Sequence, residues 1–293
     1  MKEIEFIDRK TGRRVREKPP GEGFLRVLYH HPFGKLPLEL LVKRKALTSF
    51  YGSMMDKSSS KKRIKPFVEQ YGVNMDEAQK DIDDFTSFND FFYRKLKPEF
   101  RPINSGFVSP ADGKLLAFDK AEDVKTFFVK GEQFSISGFL NSESKAKKYK
   151  EGSMLIVRLA PNDYHRFHFP YSGVASAPQK ISGHLYSVSP YAVLENFAKV
   201  FCRNKREWVS LQTQDKGEVL VCPVGATMVG SIIETYTFNE QVEKGGEMGY
   251  FAFGGSSIVV LLEKGSLKID SDILENTRNG FETAVLFGEK IGE

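Results

Sequence analysis

Between Pro102 and the carboxyl end the chain breaks into ten short runs rich in β-branched and aromatic residues. They lie at 106–118, 126–129, 153–160, 183–188, 207–212, 217–222, 226–236, 249–253, 257–262 and 282–287. Only 191–203 reads as helical among them. Strands with no regular intervening helix cannot wind a parallel sheet, because each parallel crossover needs a long connection. The expectation is an α+β chain whose catalytic part, residues 101–293, is a β-rich sandwich or barrel-like domain preceded by amphipathic helices.

Ahead of Pro102 the pattern changes. Residues 1–22 form a charged arm or small hairpin, with Thr11-Gly12 as a turn and Pro19-Pro20-Gly21 as its end. Residues 23–100 read as a helical, membrane-docking region. Pro37 suits a first helical turn, and Leu38, Leu41, Leu47, Tyr51, Met54 and Met55 recur near the helical period around Lys43, Arg44 and Lys45. Such a helix either lies in a membrane interface or packs on a core with its basic face in water. Asn74-x-x-Glu77 and Ser87-x-x-Asp90 are helix starts, since the first side chain accepts from an exposed amide and the acid suits the positive end of the dipole. They predict helices near 75–84 and 88–96, anchored by Phe85, Phe88, Phe91 and Phe92. Ser58-Ser59-Ser60-Lys61-Lys62 reads as a flexible loop.

Charge separates the two parts further. Residues 26–65 hold ten Lys or Arg against Glu39 and Asp56, a local net of +8 in a chain of net +5. That excess attracts an anionic membrane surface. Nucleic acid is not expected, because the aromatics do not interleave with the basic residues as a stacking platform requires. No run of eighteen apolar residues occurs, and the start Met1-Lys2-Glu3-Ile4-Glu5-Phe6 lacks the apolar segment of a secretory signal. The two cysteines, Cys202 and Cys222, form no ligand pattern or disulfide framework and point to a reducing compartment. The expectation is a peripheral protein on the cytoplasmic face of the cell membrane.

The chemistry gathers at Gly254-Gly255-Ser256-Ser257, between two of the strand runs. A step of this kind is ordinarily a hairpin or bulge. It also offers an unshielded Gly255 carbonyl one residue before the Ser256 hydroxyl. Attack would turn the amide into an ester, β-elimination would cut the chain, and hydrolysis of the dehydroalanine would leave a pyruvoyl ketone at the new amino terminus. A serine nucleophile needs a base and a group to orient that base. His30 and His31 lie in the basic front and His184 at a strand start, which leaves His165 and His168. The opening Pro161-Asn162-Asp163 favours a turn, in which residues three apart share a side; in a strand they would not. Two histidines so spaced also suit a metal, but no Cys or second His cluster completes a site, so none is expected. Asp112, in Ser109-Pro110-Ala111-Asp112-Gly113, is the candidate orienting carboxylate, although Asp-Gly between strands is equally a common hairpin turn.

At this point the chain resembles the phosphatidylserine decarboxylase proenzymes. Six segments appear in the order that family shows: Tyr29-His30-His31-Pro32-Phe33-Gly34, Phe88 to Pro98, Ser109 to Gly113, Asp163 to His168, Pro223-Val224-Gly225-Ala226, and Gly255-Ser256. One departure is Gly254-Gly255-Ser256-Ser257 where the family commonly has Leu-Gly-Ser-Thr; the Gly-Ser bond is kept. The resemblance implies that Asp112, His168 and Ser256 form a self-processing triad, and that the products are residues 1–255 and 256–293, which stay paired. It implies a covalent pyruvoyl cofactor derived from Ser256, which forms a Schiff base with phosphatidylserine. Loss of carbon dioxide and protonation by His165 would give phosphatidylethanolamine for phospholipid biosynthesis. It further implies a homodimer. Arg158 and Arg166 are candidate phosphate contacts.

Three other readings remain open on sequence. A serine hydrolase would use the same triad on an external ester and stay intact, though the chain lacks a Gly-x-Ser-x-Gly elbow. A membrane scaffold would use only the basic front. A pyruvoyl decarboxylase of a free amino acid would have no need of that front.

Overall fold

The computed structural model describes residues 4–17, 52–128, 134–188, 190–226, 231–252 and 256–293. The strands are β1 (Glu5–Asp8), β2 (Arg14–Arg16), β3 (Phe107–Val108), β4 (Gly113–Phe118), β5 (Met154–Leu159), β6 (Arg166–His168), β7 (Gly173–Ala175) and β8 (Gln179–Ile181). They continue as β9 (Arg206–Gln212), β10 (Glu218–Gly225), β11 (Ile232–Glu234), β12 (Glu240–Val242), β13 (Glu247–Phe251), β14 (Ser256–Leu261), β15 (Glu282–Val285) and β16 (Lys290–Gly292). The large sheet has the order β12-β7-β9-β10-β14-β5-β4-β15-β1-β2, with β8 also on β9. Its one parallel pairing among these is β1 on β15, so the sheet is mixed.

Every residue of β5 and β14 is buried, as expected of strands covered on both faces. The pleat sends alternate residues into two cores. Met154 and Ile156 join one, while Leu155, Val157 and Leu159 join the other. The first core lies under the helices Ile136–Leu140, Glu143–Tyr149 and Pro190–Arg203, through Phe139, Tyr149, Phe197 and Phe201. The second lies under a separate sheet, β11-β13-β6, through Ile232, Phe251 and Phe167.

The α+β expectation holds, and the second core is locally a sandwich. Barrel closure is corrected: the path ends at two different strands, β12 and β2. Helices occupy one face of the sheet, so its apolar surface is buried without curling on itself. Of the expected strand 126–129, residues 126 and 127 end a short helix, Val124–Phe127, and within 183–188 only His184 bridges, to Asn204. The predicted helix at 191–203 is present.

In the front, Asn74 and Ser87 cap as expected, accepting from the amides of Asp76 at 3.1 Å and Asp90 at 3.1 Å. The helices are shorter than predicted: 3-10 turns at Met75–Glu77 and Ile82–Asp84, then Phe88–Phe92. Pairing competes with helix here, for Ala78 bridges Leu96 and the Lys97 amide donates to Glu77 O at 2.8 Å. The expected flexible loop is the 3-10 helix Ser58–Arg63, because Ser60 Oγ donates to Met55 O at 2.9 Å and accepts from the Phe88 amide at 2.8 Å. Met55 and Ile64 pack with Phe85, Phe88, Phe91 and Phe92. The predicted amphipathic helix around Pro37, Lys43 to Lys45 and Tyr51, and the segment Tyr29–Gly34, lie outside the described residues.

Candidate active site

The connection from β5 to β6 carries both histidines. Pro161-Asn162-Asp163 is the expected turn: the Asp163 amide donates to Ala160 O at 2.8 Å and its carboxylate accepts from the Ala160 amide at 2.7 Å. The turn ends there. Residues 166–168 are extended because they pair with β13, Tyr250 opposite Arg166 and Glu247 opposite His168. The two imidazoles therefore do not share a helical side, and each has its own surroundings.

His165 is fully buried against Phe92, with ring centres 3.8 Å apart. Its Nδ1 lies 2.9 Å from Asp163 O, which can only accept, so Nδ1 carries the proton. Nε2 is then a bare lone pair, with no hydrogen-bond partner among the described residues. Burial pushes the imidazole down to about 3, the nearby Asp163 carboxylate opposing this and the Arg94 and Lys114 charges adding to it. Asp163 is itself held below the usual carboxylate range: burial works to raise it, but Lys114 Nζ, 2.9 Å from both oxygens, prevails.

His168 is more confined. Its Nδ1 donates to Gly245 O at 3.0 Å, and Nε2 accepts from the Tyr164 hydroxyl at 3.2 Å. Its ring stacks on Phe287 at 3.6 Å. Burial pushes it down to about 4. Asp112, proposed from sequence as its orienting group, accepts from Arg101 Nε at 3.0 Å and Nη2 at 2.7 Å, and from the Phe287 amide at 2.7 Å. Asp112 thus meets His168 through Phe287, not by a direct hydrogen bond. Burial pushes the Asp112 carboxyl up in spite of Arg101.

Ser256 opens β14, opposite Leu159 of β5 and Gly225 of β10. It is fully buried, and its hydroxyl has no hydrogen-bond partner among the described residues; the same is true of Ser257. Gly255 lies outside the described residues. The described ends of the step are tied to one loop: Ser256 pairs beside Leu159, which leads into 160–165, and the Phe251 amide donates to His165 O at 2.9 Å. The fold thus brings His165 and the Ser256 segment to the same end of the sheet.

Residues 88–293 match the model of the family described as phosphatidylserine decarboxylase. The phosphatidylserine decarboxylase proenzyme of Fusobacterium nucleatum is 50% identical over 295 residues, covering 100% of this chain and 98% of the relative. That of Desulfitobacterium hafniense is 46% identical, covering 99% and 98%. That of Clostridium botulinum is 44% identical, with the same coverage. This chain belongs to the phosphatidylserine decarboxylase family. Among solved structures, glucose permease IIA from Mycoplasma capricolum is 14% identical with a TM-score of 0.28, covering 64% of this chain and 92% of that one, too slight a likeness to bear on the fold.

Within this family member, the matched region contains Asp112, His165, His168 and Ser256. Several residues around them escaped the sequence reading. Arg101 precedes Pro102, which served only as a boundary. Phe287 reaches His168 from β15's far end, and Tyr164 reaches it from four residues back. Arg158 and Arg166 are spent on structure. Arg158 Nη1 donates to Glu17 at 3.0 Å and its Nε to Glu282 at 2.9 Å, while Arg166 donates to Glu247 at 2.8 Å.

Proposed function

We propose that this chain is a proenzyme that cuts itself between Gly255 and Ser256 and then converts phosphatidylserine to phosphatidylethanolamine and carbon dioxide. The observation that carries the reading is the Ser256 hydroxyl, buried and unpartnered where the family places its reacting serine. Leaving such a group unpaired costs about 1–3 kcal/mol, which a site retains when it uses the hydroxyl. Conversion to a pyruvoyl group fits this residue, since it removes the orphaned donor. When formed, that group supplies a ketone that takes up the substrate's amine and accepts the electrons left as carbon dioxide departs.

The chain's own residues do the rest. His168 takes the Ser256 proton during cleavage, at Nε2, once the Tyr164 hydroxyl yields that nitrogen. Asp112 fixes Phe287 and through it the face of the imidazole. His165 holds a bare Nε2, which accepts a proton as the substrate ammonium is neutralised and returns one to Cα after decarboxylation. The resting imidazole is neutral, as this requires. The arrival of an anionic substrate beside it would raise its affinity for that proton.

The lipid is taken from a membrane surface. The basic stretch 26–65 docks the protein peripherally, on the cytoplasmic face, each well-placed Lys or Arg adding about 1 kcal/mol. Among the described residues no helix is long and apolar enough to cross a membrane. Residues 1–22, 23–100 and 101–293 act as arm, docking region and catalytic domain, and two copies pair as a homodimer. A hydrolase reading is disfavoured because Gly254-Gly255-Ser256-Ser257-Ile258 lacks the Gly-x-Ser-x-Gly elbow.

Intact mass under denaturing conditions, followed by carbon dioxide release from phosphatidylserine vesicles, tests the proposal. Two chains that break at Gly255-Ser256, the smaller blocked to amino-terminal sequencing, and release of carbon dioxide are expected. A single uncut chain without activity would overturn it.

A further inference from the structure

The cations packed around the two histidines are nearly all spent. Arg101 holds Asp112 and Glu77, Lys114 holds Asp163, Arg166 holds Glu247, and Arg158 holds Glu17 and Glu282. Arg94 is different. Its side chain follows the helix Phe88–Phe92 and is 6% exposed, yet it forms no ion pair among the described residues. Nη2 makes a long contact of 3.4 Å with Asn162 O, in the loop that carries His165, and the guanidinium lies 5.1 Å from the Phe91 ring centre. Nε is buried with no hydrogen-bond partner among the described residues. The acids whose charges reach it, Asp112, Asp163 and Glu77, are already bonded to Arg101 or Lys114.

A buried guanidinium with unused donors is costly unless something anionic completes it. We propose that Arg94 binds the phosphodiester of the lipid headgroup beside His165, a proposal that rests on the phosphatidylserine reading above. The substrate also carries a carboxylate, and the chemistry chooses between the two. Decarboxylation moves negative charge out of the carboxylate, so a guanidinium gripping it would stabilise the starting state and slow the reaction. The phosphodiester keeps its charge throughout. A cation on it lowers KM and leaves kcat alone. The planar fork of arginine suits two phosphate oxygens, as lysine's single ammonium does not.

The test uses the full-length, self-cleaved protein with Arg94→Lys and Arg94→Met. Binding by calorimetry is measured with two soluble probes: glycerophosphoglycerol, a phosphodiester with neither amine nor carboxylate, and L-serine, a carboxylate without phosphate. For Arg94→Met the expectation is a loss of ~10- to 100-fold in glycerophosphoglycerol affinity, with Arg94→Lys between and serine binding unchanged. KM for phosphatidylserine should rise in step while kcat and the extent of self-cleavage hold. Loss of serine binding instead would assign Arg94 to the carboxylate, and a fall in kcat alone, or failure of both variants to self-cleave, would assign it to processing or packing; each overturns the proposal. If wild type binds the phosphodiester through Arg94 but releases no carbon dioxide from phosphatidylserine, the site stands and the proposed reaction falls. If carbon dioxide is released and glycerophosphoglycerol binding ignores Arg94, the reverse holds.

Discussion

Each histidine stands beside its own pair of opposite charges, and the two pairs are balanced differently. Around His165, Lys114 prevails over burial and Asp163 is held ionised below the usual range. Around His168, burial prevails over Arg101 and the Asp112 carboxyl is pushed up. The imidazoles differ in the same sense. His165 keeps one nitrogen free, whereas both nitrogens of His168 are occupied. The first arrangement leaves a nitrogen with no bond to break, though it is buried. The second has both nitrogens bonded, which is compatible with the self-cleavage role proposed for it.

That division is most directly broken by two variants. His168→Ala should abolish self-cleavage, leaving one uncut chain by intact mass. His165→Ala should cleave normally but lose ~100- to 10,000-fold in carbon dioxide release, the usual span for a positioned proton-transfer group. Loss of cleavage in His165→Ala, or full cleavage in His168→Ala, would show that the roles are misassigned.

Next in size is the pair that supports the His168 side. Arg101→Met leaves Asp112 buried with only the Phe287 amide, and should destabilise the folded chain by about 3–5 kcal/mol in denaturant unfolding. Lys114→Met should cost less than this, because Asp163 retains the Ala160 amide and sits in the turn at the loop's start, 14% exposed at the side chain. Equal losses would mean that the partial exposure of Asp163 does not soften the break.

The pH dependence treats both histidines alike and so measures what they share. Their folded-state values, about 3 and about 4, lie below the ordinary histidine value of 6.5. The unfolded chain therefore takes up protons first as pH falls, and stability present above pH 6.5 is lost through the window down to about 3. One unit below 6.5 each histidine should remove about 1.4 kcal/mol, and the double variant His165→Phe with His168→Phe should flatten the slope. An unchanged slope in that variant would place acid sensitivity elsewhere.

Sequence offers the members of the candidate site only one residue at a time. Asp112, His165, His168 and Ser256 are polar residues in strand-like or turn-like surroundings, and the caps Asn74 and Ser87 are local hydrogen bonds that spacing predicts. What spacing could not predict are contacts made across the fold. Arg101 meets Asp112 from eleven residues away, and Phe287 reaches His168 from the last strands. The Pro161-Asn162-Asp163 turn was read too far, because pairing with β13 draws residues 166–168 into an extended strand. The sheet was foreseen as β-rich but not as open, since three helices, two of them absent from the sequence reading, take the face that a closed barrel would have to bury within itself.

The smallest expected effect is the sharpest test of the His168 side. Tyr164 is buried, and burial raises its phenol, so at neutral pH the hydroxyl is a donor to His168 Nε2. While that bond is made, Nε2 cannot receive the Ser256 proton. Tyr164→Phe removes the competing donor and keeps the ring that stacks on His168 at 5.7 Å. A hydrogen bond of this kind is worth about 0.5–1.5 kcal/mol, so self-cleavage, followed by the rate at which the uncut chain disappears, should quicken by roughly 2- to 12-fold. A slower rate would mean instead that the Tyr164 hydroxyl takes part in the proton transfer, and that His168 reaches Ser256 through it.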